Sequence, residues 1–296
     1  MIGFGIFAPA GFATDPASVD RAVARLTSLG HRVLVDPTAR GREQRFSAGD
    51  DERLASIERM AAAPDVDVAV SVRGGYGWTR LVPRIDYAAL ARANKRWMGH
   101  SDFTAFALAA LARAGVVTYA GPMAAYDFGA ETASEFTLAQ CFGVLENAVW
   151  DIECALDGPA RVTVDGTLWG GNLSMVAHFV GTSYLPDIAG GILFLEDVAE
   201  HPYRIERMLY QLHHAGILER QRAVLLGRFT EYALNANDAG YDLDTAVAHV
   251  RERARVPIYT GLPFGHVPDK LTLPVGGHCR VDARDGAVRL TLSDYR

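Results

Sequence analysis

The chain has 296 residues, of which 49% are hydrophobic and 22% are charged, as in a globular protein large enough for two domains. Its formal net charge is -6 and no run of Lys or Arg is present, which argues against nucleic acid or an anionic membrane as the main partner. Three widely spaced cysteines, Cys141, Cys154 and Cys279, fit neither a disulfide framework nor a zinc site. We expect them to be reduced thiols.

The first residues, Met1 to Gly5, show no basic segment followed by a long apolar span. A secretory signal has both features, and a membrane-spanning helix needs about 20 apolar residues. The sequence therefore predicts a cytoplasmic protein.

Apolar strands and amphipathic helices alternate through the first half of the chain. The predicted strands are residues 3–8, 32–35, 66–72 and 96–99, and the predicted helices are residues 15–29, 52–63 and 103–114. Residues 66–72 are apolar almost throughout, as expected of a strand buried on both faces of a parallel sheet. The alternation predicts an open, mostly parallel α/β sheet.

The pattern changes near residue 145, where no long amphipathic helix follows and turn signals occur at Asp157-Gly158-Pro159 and Asp165-Gly166. We place the domain boundary there, which gives one domain at residues 1–150 and a second at residues 151–296. In the second domain we predict strands at residues 191–195 and 223–228, and helices at residues 202–215 and 244–254. A hairpin of residues 279–281 and 288–292 is predicted to turn at Asp285-Gly286.

Three separated segments supply the residue types of a nucleophile, an acid and a base. Ser101 lies at a predicted strand-to-helix turn, Glu196 ends a second apolar run, and His266 lies in a Gly/Pro-rich loop after a third. A serine hydroxyl needs an imidazole to take its proton and a carboxylate to orient that imidazole. Each residue also has a structural interpretation: a helix cap for the serine and the glutamate, and ordinary packing for the histidine. The remaining histidines lack metal-ligand spacing, so no metal site is predicted.

The turn at Ser101 and a glycine-rich segment could together bind a ligand. A hydroxyl at the carboxyl end of a parallel strand faces the crevice in which open α/β sheets bind ligands, and the helix amides there, including that of Asp102, can stabilise an oxyanion. Residues 73–77, Arg-Gly-Gly-Tyr-Gly, follow the predicted strand at 66–72. This segment is either a tight turn or a loop whose backbone approaches a ligand. Arg73 at the same edge can pair with a substrate carboxylate.

Taken together, these segments resemble the LD-carboxypeptidase family of serine peptidases, the muramoyltetrapeptide carboxypeptidases. The matching stretches follow the family order along nearly the whole chain: VRGGYG at 72–77, GHSDFTA at 99–105, AGPM at 120–123, LWGGNLSM at 168–175, LFLED at 193–197, EHPYRIERML at 200–209 and GLPFGH at 261–266. The resemblance implies a flavodoxin-like N-terminal domain with a mostly parallel sheet and a smaller, β-rich α/β C-terminal domain. It places the active site between the two domains.

The resemblance also implies residue roles. Ser101 would be the nucleophile, His266 the general base and Glu196 the residue that orients the histidine. The implied oxyanion hole consists of the amide of Asp102 and an amide of Gly74 or Gly75. No metal or cofactor is implied. Four further side chains are candidates for substrate binding: Arg73, Tyr76, Trp169 and Arg204, with buried packing as the alternative for the tyrosine and the tryptophan.

The substrate that the resemblance implies is a peptidoglycan stem tetrapeptide, which loses its terminal D-Ala at an L-to-D linkage during cytoplasmic cell-wall recycling. A sister branch of the family cleaves peptidyl-nucleotide antibiotics of the microcin C type, but residues 200–209 look more like the carboxypeptidase branch. We expect a homodimer.

Two alternatives from other classes stay open at this point. A non-catalytic, two-lobed ligand-binding module would need no convergence of Ser101, Glu196 and His266. An enzyme similar to the glutamine amidotransferases would need a cysteine at a strand-to-helix turn, and none of the three cysteines is predicted to lie at one.

Overall fold

The structure, a computed structural model, describes residues 1–284 and 286–296. The strands are β1 Gly3–Phe7, β2 Arg32–Val35, β3 Val68–Ser71, β4 Arg96–Gly99, β5 Thr118–Ala120, β6 Trp150–Ala155, β7 Arg161–Asn172, β8 Ile192–Val198, β9 Ala223–Thr230, β10 Ile258–Thr260, β11 Leu273–Val275, β12 His278–Arg284 and β13 Ala287–Ser293. The α-helices are α1 Ala17–Ser28, α2 Asp50–Ala62, α3 Trp78–Leu81, α4 Tyr87–Ala93, α5 Phe103–Ala114, α6 Glu135–Glu146, α7 Leu173–His178, α8 Pro202–His214 and α9 Leu243–Arg253. None of the described helices is both long and apolar enough to span a membrane.

The first sheet has the strand order β11-β5-β4-β3-β1-β2. All neighbours in it are parallel except β11, which pairs antiparallel with β5. Without β11 the order is that of a flavodoxin-like sheet, whose ligand crevice lies at the carboxyl ends of the strands. The predicted fold class, including the flavodoxin-like first domain, is therefore confirmed.

Burial explains why the strands of this sheet are nearly uniformly apolar. Every residue of β1 and of β3 is buried, as expected where helices cover both faces of a parallel sheet. Beneath the β4–α5 turn the Trp78 ring packs against Phe103 and Phe106, with ring centroids 5.7 and 4.6 Å away. This aromatic cluster fixes the start of α5 against α3, and so it supports the turn that carries Ser101.

The second sheet has the order β10-β9-β8-β7-β12-β13-β6. Its strands β7 to β10 are parallel, whereas β12, β13 and β6 form antiparallel pairs. Strand β7 joins the two parts, because its first residues pair with β12 and its last residues pair with β8. The carboxyl ends of β7 and β8 meet the first sheet at α5, where the amide of Asn172 donates to Thr104 Oγ1 at 3.0 Å.

The turn predicted at Asp165-Gly166 is wrong, because both residues lie inside β7. They pair with Arg280 and Cys279 of β12. A glycine is needed in the strand there, since a Cβ on Gly166 would overlap the carbonyl of Gly190. The glycine at position 166 therefore marks a close approach of two backbones and not a turn of the chain.

The predicted C-terminal hairpin is formed by β12 and β13, with Cys279 opposite Leu292 and Arg284 opposite Ala287. Asp285 of its predicted turn lies outside the described residues. The division of the chain near residue 150 stays a prediction. One strand from the second half, β11, belongs to the first sheet, so the two halves share a backbone hydrogen-bonded contact.

Candidate active site

Ser101 occupies a strained turn between β4, which ends at Gly99, and α5, which begins at Phe103. Its φ angle is +65°, in the left-handed region that costs a non-glycine residue about 1–3 kcal/mol. The cap of α5 is Asp102, without a capping hydrogen bond from a side chain, so the interpretation of Ser101 as a helix cap does not hold. A serine on a sharp strand-to-helix turn is how several hydrolase folds expose their nucleophile.

The glycine-rich loop of residues 73–77 lies directly against this serine. A Cβ on Gly74 would be 2.7 Å from Ser101 Cβ, 2.9 Å from its Oγ and 3.1 Å from the amide nitrogen of Asp102. The loop is tied to the turn by the Asp102 carboxylate, which accepts a 3.1 Å hydrogen bond from the amide of Trp78. Burial raises the pKa of Asp102 to about 6, although this amide opposes the shift. The glycine at position 74 is therefore needed for close approach to the serine.

The backbone amides of the predicted oxyanion hole have no hydrogen-bond acceptor among the described residues. Across residues 1–284 and 286–296, the backbone amides of Gly74, Gly75 and Asp102 donate no hydrogen bond to a protein group. Gly74 and Gly75 line the same cavity as Ser101. Unpaired amides beside a hydroxyl are what stabilisation of a tetrahedral oxyanion requires.

His266 and Glu196 form a hydrogen-bonded pair at the other wall of the site. Nδ1 of His266 lies 2.8 Å from Oε2 of Glu196, and the carboxylate is fully buried in β8. Gly265, with a φ of +142°, lets the loop come this close, since a Cβ there would lie 3.3 Å from the same oxygen. Because an ionised carboxylate only accepts, Nδ1 carries the proton and Nε2 is the nitrogen that can take one from a nucleophile.

The charge on Glu196 sets the basicity of the histidine. Burial on its own would lower the pKa of His266, but the hydrogen bond and negative charge of Glu196, helped by Asp197, outweigh it. The pKa of His266 is thus raised above its ordinary value of 6.5. A more basic imidazole is a better proton acceptor for a serine hydroxyl.

Asn172, at the end of β7, holds Glu196 in place. Its Nδ2 donates to Oε1 of Glu196 at 3.3 Å and to Oδ1 of Asp197 at 2.8 Å. The second oxygen of Asp197 accepts from the amide and the hydroxyl of Ser174, at 2.9 and 2.7 Å. Glu196 is therefore part of a buried network, and the interpretation of it as a cap for α8 is wrong; the cap there is His201.

Ser101 and His266 both line one cavity of about 520 Å³ between the two sheets. Within the described residues the serine hydroxyl forms no hydrogen bond with the histidine in this conformation. Such bonds are often long in an empty active site and shorten when substrate binds. The His100 ring lies between β4 and the histidine, 5.2 Å from the His266 ring by centroids.

Of the four predicted substrate-binding side chains, Arg73 lines the cavity. Its Nε is buried and has no partner in the part of the chain that the structure describes, and its guanidinium lies 5.4 Å from the centroid of the Tyr126 ring. Tyr76, which belongs to the same loop, is 42% exposed, packs beside Phe46 and does not line the cavity. Arg73 is thus the candidate with an unused donor at the site.

The structure places the other two candidates, Trp169 and Arg204, outside the lining of this cavity. Trp169 is buried in the second sheet, where its indole N–H donates to Oε1 of Gln221 at 2.9 Å, so the packing interpretation holds. Arg204 lies on the exposed side of α8 and pairs with Glu200 at 3.6 Å. An aromatic or charged residue inside a family motif can serve the fold alone.

The cavity wall also contains residues that the sequence analysis did not name as site residues, among them His100, Asp127 and Lys270. His100 donates from Nδ1 to the carbonyl of Gly121 at 2.9 Å, and burial keeps its pKa well below the ordinary value, so its ring is neutral. The one sequence signal for Lys270 was its place four residues after His266. Among the described residues, no group of three or more His, Cys, Asp or Glu side chains could hold a metal ion.

Gly74→Ala is expected to reduce kcat at least about tenfold while the protein stays folded. The new Cβ would push on the side chain of Ser101 and on the amide of Asp102, and small displacements of reacting groups cost catalysis heavily. Steady-state kinetics with a thermal melt measures both effects. Gly49→Ala is the matched control, because a Cβ there has 3.7 Å to its nearest neighbour and should leave kcat unchanged. Equal kinetics for the two variants would contradict the placement of Gly74.

A serine on a strained strand-to-helix turn, a buried Glu–His pair and unpaired amides around one cavity define a hydrolase-type site on a two-domain α/β fold. Comparison with known proteins agrees. The profile of the LD-carboxypeptidase N-terminal domain matches residues 4–121, and that of the LD-carboxypeptidase C-terminal domain matches residues 165–281. The chain belongs to the LD-carboxypeptidase family.

Individual relatives fit this assignment. The crystal structure of muramoyltetrapeptide carboxypeptidase from Oxalobacter formigenes is 44% identical, with a TM-score of 0.93 over 99% of both chains. The murein tetrapeptide carboxypeptidase of Pseudomonas aeruginosa is 31% identical over 78% of each chain. MccF, solved in complex with glutamyl sulfamoyl guanosine, has a TM-score of 0.90 over 99% of this chain and 96% of its own, but at 21% identity it supports the fold alone.

Proposed function

We propose that this chain is a serine-type LD-carboxypeptidase that removes the terminal D-Ala from peptidoglycan stem tetrapeptides in cell-wall recycling. The observation that carries the proposal is one cavity lined by Ser101 on its strained turn and by His266, whose Nδ1 is bonded to buried Glu196. The relatives from Oxalobacter and Pseudomonas are a muramoyltetrapeptide carboxypeptidase and a murein tetrapeptide carboxypeptidase, which supports this class of substrate.

In the proposed reaction the hydroxyl of Ser101 attacks the carbonyl carbon of the penultimate residue, and Nε2 of His266 takes the hydroxyl proton. Glu196 stabilises the imidazolium that forms. The oxyanion accepts hydrogen bonds from the amides of Asp102 and of Gly74 or Gly75. His266 then protonates the departing amine of D-Ala. Water, deprotonated by the same histidine, hydrolyses the acyl-enzyme and restores the serine.

The direct test is mass-spectrometric digestion of a stem tetrapeptide beside a peptidyl-nucleotide. We expect the tetrapeptide to lose one alanine and the peptidyl-nucleotide to stay intact. Cleavage of the nucleotide conjugate alone would overturn the proposal in favour of the sister branch. Binding of either compound without cleavage would instead support a two-lobed binding module.

A carboxypeptidase must recognise a free terminal carboxylate, and we propose that Arg73 does so. Amidation of the terminal D-Ala should reduce kcat/KM by about 10²-fold or more, because a charge-assisted hydrogen bond from a guanidinium to a carboxylate is strong and the amide cannot replace it. The Arg73→Gln variant should hydrolyse the peptide with a free terminal carboxylate slowly. It should also lose most of its preference for that peptide over the amidated one. The measurement is kcat/KM for both peptides with both proteins.

Arg204→Gln is the matched control for this prediction. Arg204 carries the same charge as Arg73, but it lies on the exposed side of α8 and does not line the cavity. Its variant should keep the full preference for the free carboxylate. Equal turnover of amidated and free peptide by the unaltered protein would indicate an endopeptidase instead.

A cytoplasmic location and a homodimer are part of the proposal. Cys141, Cys154 and Cys279 are free thiols, as expected in a reducing compartment. Light scattering on the purified protein measures the assembly, and fractionation of cells that express it measures the location; a monomer or a secreted protein would contradict these two points.

A further inference from the structure

The loop that carries His266 is anchored on the first domain as well as on its own. Residues 266–270, the docking loop, run past the start of α6. There the hydroxyl of Thr137 donates to the carbonyl of Pro268 at 2.6 Å and accepts from the amide of Lys270 at 2.9 Å. The cap of α6, Ser134, adds a hydrogen bond to the side chain of Asp269. The loop of the general base in the proposed mechanism is therefore held by both domains, by Glu196 on one side and by the start of α6 on the other.

An ion pair closes the end of the docking loop. The ammonium of Lys270 contacts Oδ1 of Asp127, and the two side chains are only 4% and 5% exposed. Asp127 is fixed in turn, since its Oδ2 accepts from the amide of Met123 at 2.7 Å. It lies on the π-helical turn Ala124–Phe128, which follows β5. Both charged residues line the catalytic cavity.

Stability alone does not account for this pair. Two ions removed from water lose their hydration, and an apolar pair of the same volume often stabilises a fold as well or better. A buried pair does impose one geometry, because neither ion can tolerate separation from the other. In this protein that geometry fixes the residue that ends the loop of the general base.

We propose that Asp127 and Lys270 are positioning residues, which lock the docking loop to the first domain and so hold His266 in register with Ser101. The kinetic part of this inference rests on the proposed function. The structural part, the docking of the loop, does not depend on the substrate.

The test variant is Asp127→Asn/Lys270→Met, in which neither ion is left buried without its partner. Asparagine can still accept from the amide of Met123, and methionine fills most of the space of the lysine stem. This choice avoids the unpaired buried charge that would make either single variant prone to misfolding.

Two kinetic readouts distinguish positioning from simple support of the fold. With stem tetrapeptide, kcat should fall at least tenfold in the double variant, while KM changes less than threefold. The acid limb of the kcat/KM profile should also move to higher pH, because the charge of Lys270 lowers the pKa of His266, whereas Asp127, whose charge is also removed, is not among the main causes that act on that pKa. The other groups that face the His266 ring are unchanged in the variant: Glu196 and Asp197 from β8, and neutral His100 from the β4–α5 turn.

Asp36→Asn/Arg59→Met is the matched control, because it removes another ion pair with a buried carboxylate, 2.6 Å long, outside the cavity. It should lower the melting temperature without changing kcat or the acid limb. A control that loses kcat as strongly as the test variant would overturn the inference. So would a test variant with the kcat and the pH profile of the unaltered protein.

Hydrogen exchange supplies a readout that needs no substrate. In the unaltered protein the amide of Lys270 is bonded to Thr137, so peptides that contain residues 267–270 should exchange slowly. They should exchange at least tenfold faster in the test variant and remain protected in the control. If residues 267–270 stayed as protected in the test variant as in the unaltered protein, the proposed docking would be wrong, whether or not the chain cleaves a tetrapeptide. If the unaltered protein cleaved no tetrapeptide, only the proposed function would be contradicted.

Discussion

Ser101→Ala and His266→Ala should each lower kcat by about 10⁴- to 10⁶-fold while the protein stays folded, although His266→Ala should also lower the melting temperature because buried Glu196 loses its partner. The two groups act as one unit, because the hydroxyl is a poor nucleophile without a base and the base has no role without the hydroxyl. Neither change removes packing from the core, since both side chains line an open cavity. Single-turnover release of D-Ala, followed by mass spectrometry, measures losses of this size.

The double variant Ser101→Ala/His266→Ala tests whether the two residues act as one catalytic unit. It should be hardly slower than either single variant, as for members of one catalytic unit. The matched control is Ser174→Ala: this hydroxyl is bonded to Asp197 in the network behind Glu196 and does not line the cavity, so its loss should cost far less turnover. Losses that multiply in the double variant would mean that the serine and the histidine act independently, and the proposed mechanism would then be wrong.

Local elements of the fold were predictable because their signal lies within the element. The bounds of β2, β4 and α5 match the predicted residues 32–35, 96–99 and 103–114. Hydrophobic periodicity reports which face of a segment is buried, and that is enough to define a helix or a strand.

The pairing of distant segments was not predictable in the same way. Strand β7 holds a glycine inside a long strand, and the sequence alone could not show that the carbonyl of Gly190 fills the space beside Gly166. Strand β11 has only three residues and joins the first sheet from the other half of the chain. Sheet order depends on contacts between residues far apart in sequence, which no local pattern encodes.

The residues of the candidate site also differ in whether the sequence could predict them. Ser101, Glu196 and His266 stand at the ends of apolar runs, where residue type and position already indicate chemistry, and the family resemblance supplied their roles. Asp127 and Lys270 gave no such signal, because a charged residue in a loop is ordinarily exposed and only the folded chain buries this pair. For Trp169 the sequence left substrate binding and packing open, and in the structure its ring is buried in the second sheet.

Glu196→Gln should keep the fold and lower kcat/KM by about 10²- to 10⁴-fold, less than the loss of the serine or the histidine. The donor Nδ2 of Asn172 faces one oxygen of this carboxylate, so the glutamine must turn its own oxygen toward Asn172 and its NH₂ toward His266. An NH₂ group donates to Nδ1, and the imidazole proton then moves to Nε2. A histidine in that tautomer cannot accept the proton of Ser101.

The pH profile of this variant tests the electrostatic role of Glu196 separately from the tautomer. A general base works only when neutral, so kcat/KM of the unaltered protein should fall as pH drops through the pKa of His266, which lies above 6.5. Without the negative charge and hydrogen bond of Glu196, burial and Lys270 continue to lower that pKa. The acid limb of Glu196→Gln should therefore move to lower pH.

Glu206→Gln is the matched control for both effects of Glu196→Gln. Its carboxylate also lies beside a histidine ring, 3.3 Å from Nδ1 of His249, but that pair is outside the lining of the cavity. It should leave both the rate and the acid limb unchanged. If the acid limb of Glu196→Gln stayed where it is in the unaltered protein, a group other than His266 would be the titrating base. The proposed triad would then have to be abandoned, even though Ser101 and His266 line one cavity and Glu196 is bonded to the histidine.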